Sequence, residues 1–232
     1  MRGFASEERP QLELIGEGNG YFVTYDPLDG SSIIDTNFSI GSIYSVWPAT
    51  EKKLIGEKLG AQANAVLVVY GPRTTAIVYN AKADKVQELT LVENDWIISH
   101  DQLIIKDKTK IFSPGNLRCA SEHEEYLQVV EGWIKRGLTL RYTGGLIVDV
   151  AQIFIKRQGI FCCVGSKNHK FKLRALYEAA AVGFLIEEAG GKTISFNKKS
   201  LMDYEVKSYD DRLYILLYPD HSQWEVENKS IN

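Results

Sequence analysis

Short runs of β-branched and aromatic residues, bounded by Gly, Pro, Asn or Asp, fill the first hundred positions and predict strands over 23–25, 40–47, 65–70, 75–80 and 86–91. Gly71-Pro72 punctuates the third and fourth of these as a turn, so the run reads as antiparallel sheet. Beyond it the period changes. Residues 126–135 and 148–155 read as helices and 159–164 as a strand. A long helix is predicted over 173–189, with Leu173, Leu176, Tyr177, Ala180 and Phe184 at helical spacing and Gly190-Gly191 closing it. Ile194 and residues 213–217 complete the sheet. The class is therefore mixed α/β of the α+β kind, without internal repeats. Charge density rises near 99–110, which predicts a seam between halves 1–105 and 106–232.

One segment breaks the alternation with chemistry. Asp26-Pro27-Leu28-Asp29-Gly30-Ser31-Ser32 follows the apolar run 21–25, so two carboxylates and a small-residue turn are expected where a strand ends. Carboxylate oxygens on a turn stiffened by proline suit Mg²⁺. Gly30, Ser31 and Ser32 offer backbone N–H groups and hydroxyls to a phosphate if Ser31 opens a helix. The same residues also make an ordinary Asp-Pro turn with a Ser cap. Ser6-Glu7-Glu8, upstream, reads alone as solvated charge. Brought to the same sheet edge by a returning strand, it would make four converging carboxylates, which demand cations, and all-oxygen sites beside phosphate favour two Mg²⁺ or Mn²⁺ ions.

With these motifs the chain resembles the sugar bisphosphatases of the fructose-1,6-bisphosphatase family, within the wider lithium-sensitive, metal-dependent phosphatases. The resemblance extends through Tyr70-Gly71-Pro72-Arg73, the stretch 112–118, Leu140-Arg141-Tyr142-Thr143-Gly144-Gly145, and Lys172-Leu173-Arg174 on to Glu178 and Gly190-Gly191. It covers roughly residues 6 to 220, and Ile33 after Ser31-Ser32 resembles the sedoheptulose-1,7-bisphosphatase branch.

The resemblance implies a layered α-β-α-β-α sandwich. It implies metal ligation by Glu7, Glu8, Asp26, Asp29, Glu178 and the Leu28 carbonyl, with Glu8 also orienting the attacking water and Glu8, Asp29 and Glu178 as the catalytic set. Ser31 and Ser32 would hold the transferred phosphate; Asn116, Arg118, Arg141, Tyr142 and Lys172 would hold the distal one, with Arg174 an active-site residue. Arg174 and Glu178 also have the spacing of an ordinary i,i+4 ion pair. Asp149 is expected to be structural. Cys163 departs from the family, whose members carry Tyr or Asn there. Family members have about a hundred further residues ahead of Ser6-Glu7-Glu8, so the chain is expected to be N-terminally truncated.

Composition fits an ordinary globular protein. The 232 residues are 44% hydrophobic and 25% charged, with a formal net charge of −3 that favours neither nucleic acid nor membranes. The basic clusters 106–110 and 198–199 read as solvated loops. Three cysteines make no disulfide framework, and four scattered histidines make no zinc pattern. No apolar run spans a bilayer, and residues 1–5 resemble neither a signal core nor a transit peptide. The expected partners are a sugar bisphosphate and further copies of the chain, as a homodimer or homotetramer. Plastid stroma and cytoplasm both stay open, as do fructose-1,6-bisphosphatase activity, an inositol- or nucleotide-monophosphatase activity, and a non-catalytic sugar-phosphate-binding role.

Overall fold

The computed structural model describes residues 1–51, 53–105, 108–195 and 199–219; Lys106, Lys198 and His221 lie outside them. Two sheets organise these residues. The larger has eight strands in the order β2-β1-β3-β4-β5-β6-β7-β8: β1 Gly3–Ser6, β2 Glu13–Leu14, β3 Tyr21–Asp29, β4 Ile40–Pro48, β5 Asn64–Tyr70, β6 Thr74–Asn80, β7 Lys85–Val92 and β8 Asp95–His100. From β3 to β8 it is an antiparallel meander, predicted by the alternation as far as β7. β1 runs parallel to β3, pairing Ser6 with Tyr25, which brings the two acidic motifs to one end of the sheet.

The smaller sheet runs β10-β9-β11-β13-β12, from β9 Ile111–Gly115, β10 Thr139–Leu140, β11 Ile160–Cys163, β12 Lys192–Ile194 and β13 Ile215–Tyr218. β9, β10 and β11 are parallel, so their carboxyl ends face the same way. α1 (Glu124–Lys135) covers one face and α2 (Leu146–Lys156) the other. Along β11, Ile160 and Cys162 join the apolar cluster of Tyr126 and Trp133, while Phe161 and Cys163 join that of Ile147 and Phe154. α2 and α3 (Ala180–Glu188) also pack on β4 and β5 of the larger sheet. The layers are thus sheet, helices, sheet, helix, four of the five that the resemblance implies.

Several elements differ from the sequence reading. β9 contains Pro114 and Gly115, which look like a turn, yet all five of its residues are buried. Its neighbour β10 stops opposite Phe112, so on that flank Pro114 forfeits no ladder hydrogen bond. β1, β2, β8 and β10 were also absent from the pattern, being short or, in β8, a fully exposed edge without alternation. The long helix expected from 173 begins instead as a π-helical turn, Ala175–Ala179, before α3.

That π turn is tied to the larger sheet by one buried side chain. Thr24 Oγ1 donates to the Leu176 carbonyl at 2.7 Å and accepts from Trp47 Nε1 at 2.9 Å. Thr24 is fully buried, so neither partner has water as an alternative. Thr24→Val keeps the shape but orphans both groups, and we expect it to cost about 2 to 4 kcal/mol of unfolding free energy, measured by urea denaturation.

Candidate metal and phosphate site

β3 buries Phe22, Thr24 and Asp26 on its inner face by strict alternation, which would send Asp29 to the outer face. A β-bulge prevents this. Asp26 pairs with Ile43 and Asp29 with Gly41, so three steps along β3 match two along β4, and the extra residue returns Asp29 to the inner face. The carboxylates therefore lie within the strand and not on a turn after it. Gly41 is required opposite Asp29: a Cβ there would meet the Val68 carbonyl at 2.3 Å and Ile147 at 2.7 Å.

Glu178 arrives from the π turn, a wide turn of the kind that recurs at functional sites. Oxygens of Asp26, Asp29 and Glu178 all lie within 4.8 Å of one another, and all three residues are buried. Each is held by main chain. Asp26 accepts from Leu28 N at 2.8 Å, Asp29 from Ile147 N at 2.7 Å at the positive end of α2, and Glu178 from Arg174 N at 2.6 Å. The i,i+4 ion pair is thus not formed; the Arg174 guanidinium reaches Glu7 at 3.1 Å and Asp210 at 2.7 Å.

Burial sets the electrostatics. It pushes Asp26 up to about 7 against the Leu28 N–H, with Glu7 and Asp29 repelling its charge. It pushes Asp29 up to about 6 against the amides of Ile147 and Leu146. Glu178 rises well above the usual range through burial first and the Asp29 charge second. A pocket of oxygen donors that resists its own negative charge is chemically fitted to a hard divalent cation. Glu7 lies in the field of all three. Glu8 is exposed in the adjoining bend and outside the group of three. Leu28 is partly exposed on the bulge.

Ser31 and Ser32 are exposed on a three-residue 3-10 turn behind Gly30, whose φ is 91°, so no full helix opens there. The other expected contacts gather at the carboxyl ends of β9, β10 and β11, where parallel sheets place ligands. Asn116 and Arg118 follow β9, Arg141 and Tyr142 follow β10, and Cys163 ends β11. Tyr142 lies against the Asn116 backbone and Cys163, and Cys163 lies in the field of Glu178 and Lys172. Arg118, Arg141 and Lys172 are exposed. The Asn116 amide is committed to the Val164 carbonyl at 2.7 Å. Asp149 accepts from Thr143 N at 2.8 Å and Gly144 N at 3.2 Å, pinning the loop before α2, the structural part expected of it. The three cysteines are buried and form no disulfide. Asp210 escaped the sequence reading, because its partner is 36 residues away and no local motif marks it.

Comparison with known proteins converges on one family. The family model for the N-terminal domain of fructose-1,6-bisphosphatase matches residues 1–101, and that for its C-terminal domain residues 105–228. A chloroplastic sedoheptulose-1,7-bisphosphatase of Spinacia oleracea is 45% identical over 213 residues, covering 90% of this chain and 54% of the relative. A class 1 fructose-1,6-bisphosphatase of Geobacter sulfurreducens is 34% identical, covering 92% and 67%. The chain spans about half the length of the plant relative. A crystal structure assigned as a sedoheptulose-1,7-bisphosphatase of Toxoplasma gondii superposes with a TM-score of 0.90 at 37% identity, covering 98% of this chain and 78% of that one. Leishmania major fructose-1,6-bisphosphatase gives a TM-score of 0.87 at 26% identity.

The raised carboxyls carry a signature in stability. Asp26, Asp29 and Asp149, the last pushed up to about 6 by burial, keep their protons to higher pH when folded than when unfolded. Between about 4 and those folded values the native state binds more protons, so stability falls as pH rises through the window. We expect the melting temperature without divalent ions to be lower at pH 8 than at pH 5, and Mn²⁺ to raise it more at pH 8, by scanning calorimetry.

Proposed function

Since the chain belongs to the fructose-1,6-bisphosphatase family, we propose that it is a metal-dependent sugar-bisphosphate phosphatase that hydrolyses the C1 phosphate of sedoheptulose-1,7-bisphosphate. The observation that carries this reading is the convergence of Asp26, Asp29 and Glu178 in one buried pocket. Its choice of sugar follows the identity to the spinach relative and the form of the Ser31 to Phe38 stretch. Fructose-1,6-bisphosphate is the second candidate substrate, favoured by the 34% identity to the Geobacter enzyme. A non-catalytic role fits less well, because three mutually repelling buried carboxylates would then stay uncompensated.

Asp26, Asp29 and Glu178, joined by Glu7 and the Leu28 carbonyl, would hold the metal ions, and Mg²⁺ or Mn²⁺ is the expected occupant. A bound ion of this kind polarises phosphoryl oxygens and lowers the pKa of its water. Glu8, in the exposed bend, orients the attacking water. Ser31 and Ser32 hold the transferred phosphate with hydroxyls and backbone N–H groups. Arg118, Arg141, Tyr142 and Lys172 hold the distal phosphate, so that its binding energy positions the reacting end. Asn116 supports Tyr142 through its backbone, since its amide nitrogen, the donor a phosphate would need, is engaged elsewhere. Arg174 positions Glu7 and Glu178.

The halves 1–105 and 106–232 are read as the metal-binding and sugar-phosphate-binding parts, supported by the larger sheet ending at His100 and the smaller beginning at Ile111. Assembly as a dimer or tetramer is supported by edge strand β8, whose Trp96, Ile97 and Ile98 are about half exposed. Among the described residues, no helix is long and apolar enough to cross a membrane.

The test is phosphate release from both sugar bisphosphates with Mg²⁺ and with a chelator. We expect Mg²⁺-dependent turnover with the sedoheptulose substrate preferred; no release from either would overturn the reading. Asp29→Asn, which keeps the contact to α2 but removes a charge, should lower turnover about a hundredfold. Arg141→Ala should cost about 2 to 3 kcal/mol in kcat/KM for the bisphosphate and leave a monophosphate almost unaffected; equal losses on both would make Arg141 structural.

A further inference from the structure

Arg174 has one guanidinium and two competing carboxylates. Nε lies 3.1 Å from Glu7 Oε1, and a terminal nitrogen donates to Asp210 Oδ1 at 2.7 Å. The backbone N–H of the same residue holds Glu178. Every unit of charge that Arg174 gives Glu7 is charge that Glu7 withholds from a cation beside Asp26 and Asp29.

Asp210 is placed independently of the Arg174 guanidinium. Its loop is closed by Asp211, which accepts from Lys207 N at 2.6 Å, Ser208 Oγ at 2.9 Å and Tyr204 Oη at 3.1 Å. The Asp211 carbonyl takes the Ala175 N–H at 2.7 Å, and the Leu213 N–H returns to the Leu173 carbonyl. The loop is therefore docked on both sides of Arg174. Arg212, whose guanidinium lies 3.9 Å from Asp210, donates instead to the Lys172 carbonyl at 3.1 Å. The closer contact of Asp210 is thus Arg174.

We propose that Asp210 is a positioning residue: it draws the Arg174 guanidinium outward and so sets how far Glu7 is free to bind a divalent cation. This rests on the carboxylate pocket being a metal site. With Asp210 in place, one positive charge is shared between two carboxylates. Without it, Arg174 is left to Glu7 alone, and the cation must displace a stronger ion pair. The contact lies partly in solvent, so the effect is modest: about three- to fivefold in affinity.

The experiment is titration of Mn²⁺ alone into the protein by calorimetry, with kcat measured separately at saturating metal. Asp210→Asn should raise the Mn²⁺ Kd about three- to fivefold, leave kcat at saturating metal within about twofold, and be rescued by Asp210→Glu. In an Arg174→Gln background the Asp210 substitution should have no further effect, since nothing remains for it to restrain. Arg174→Met, which keeps much of the side chain's length without its charge, serves the same purpose if the Gln variant does not fold. An unchanged Kd in Asp210→Asn overturns the proposal while leaving the metal site standing. An equal rise in both backgrounds also overturns it, as a field effect independent of Arg174. Absence of Mn²⁺ binding by the unaltered protein overturns the metal site and the proposal with it.

Discussion

Three carboxylates buried within 4.8 Å of one another repel, and the fold has to hold them there against that repulsion. It does so with main-chain donors, one for each: Leu28 for Asp26, the start of α2 for Asp29, and Arg174 for Glu178. These donors reduce the cost without removing it, which is why all three acids remain shifted upward. The unmet remainder is the repulsion that a cation would offset on the proposed reading. Much of the surrounding architecture serves this arrangement. The bulge in β3, the absence of a side chain at Gly41, the π turn before α3 and the Thr24 bridge each set the position of one carboxylate relative to the others.

The two sheets divide the work. The larger brings acid to the carboxyl ends of β1 and β3. The smaller brings Arg118, Arg141 and Tyr142 to the carboxyl ends of β9 and β10. α2 joins them, with its first amides on Asp29 and its preceding loop pinned by Asp149 next to Tyr142. Cys163, at the end of β11, lies in the field of both Glu178 and Lys172. The proposed substrate, with a reacting and a distal phosphate, calls for an acidic and a basic end of this kind.

Much of this was legible in the sequence, for physical reasons that differ from element to element. The meander from β3 to β7 announces itself because one face is buried and the residues alternate. Asp26 and Asp29 lie three residues apart and so form a readable motif, but the bulge that aligns them leaves no trace in the alternation, and the strand looked as though it ended at Tyr25. Glu178 is ambiguous on spacing alone: four residues after Arg174 it suggests a surface pair, and only the family resemblance pointed to the pocket. β9 was hidden by Pro114 and Gly115, whose ordinary meaning as turn residues is overridden by the early end of β10. Asp210 could not be read at all, since its partner is supplied by tertiary structure.

Anomalous diffraction from crystals soaked in Mn²⁺, collected near the manganese absorption edge, bears most directly on the claim that these carboxylates form a cation site. The account predicts a peak in contact with oxygens of Asp26, Asp29 and Glu178, at about the 2.1 Å separation of a small divalent ion. A peak confined to exposed acids such as Asp203 or Asp95, with none among those three, would contradict it.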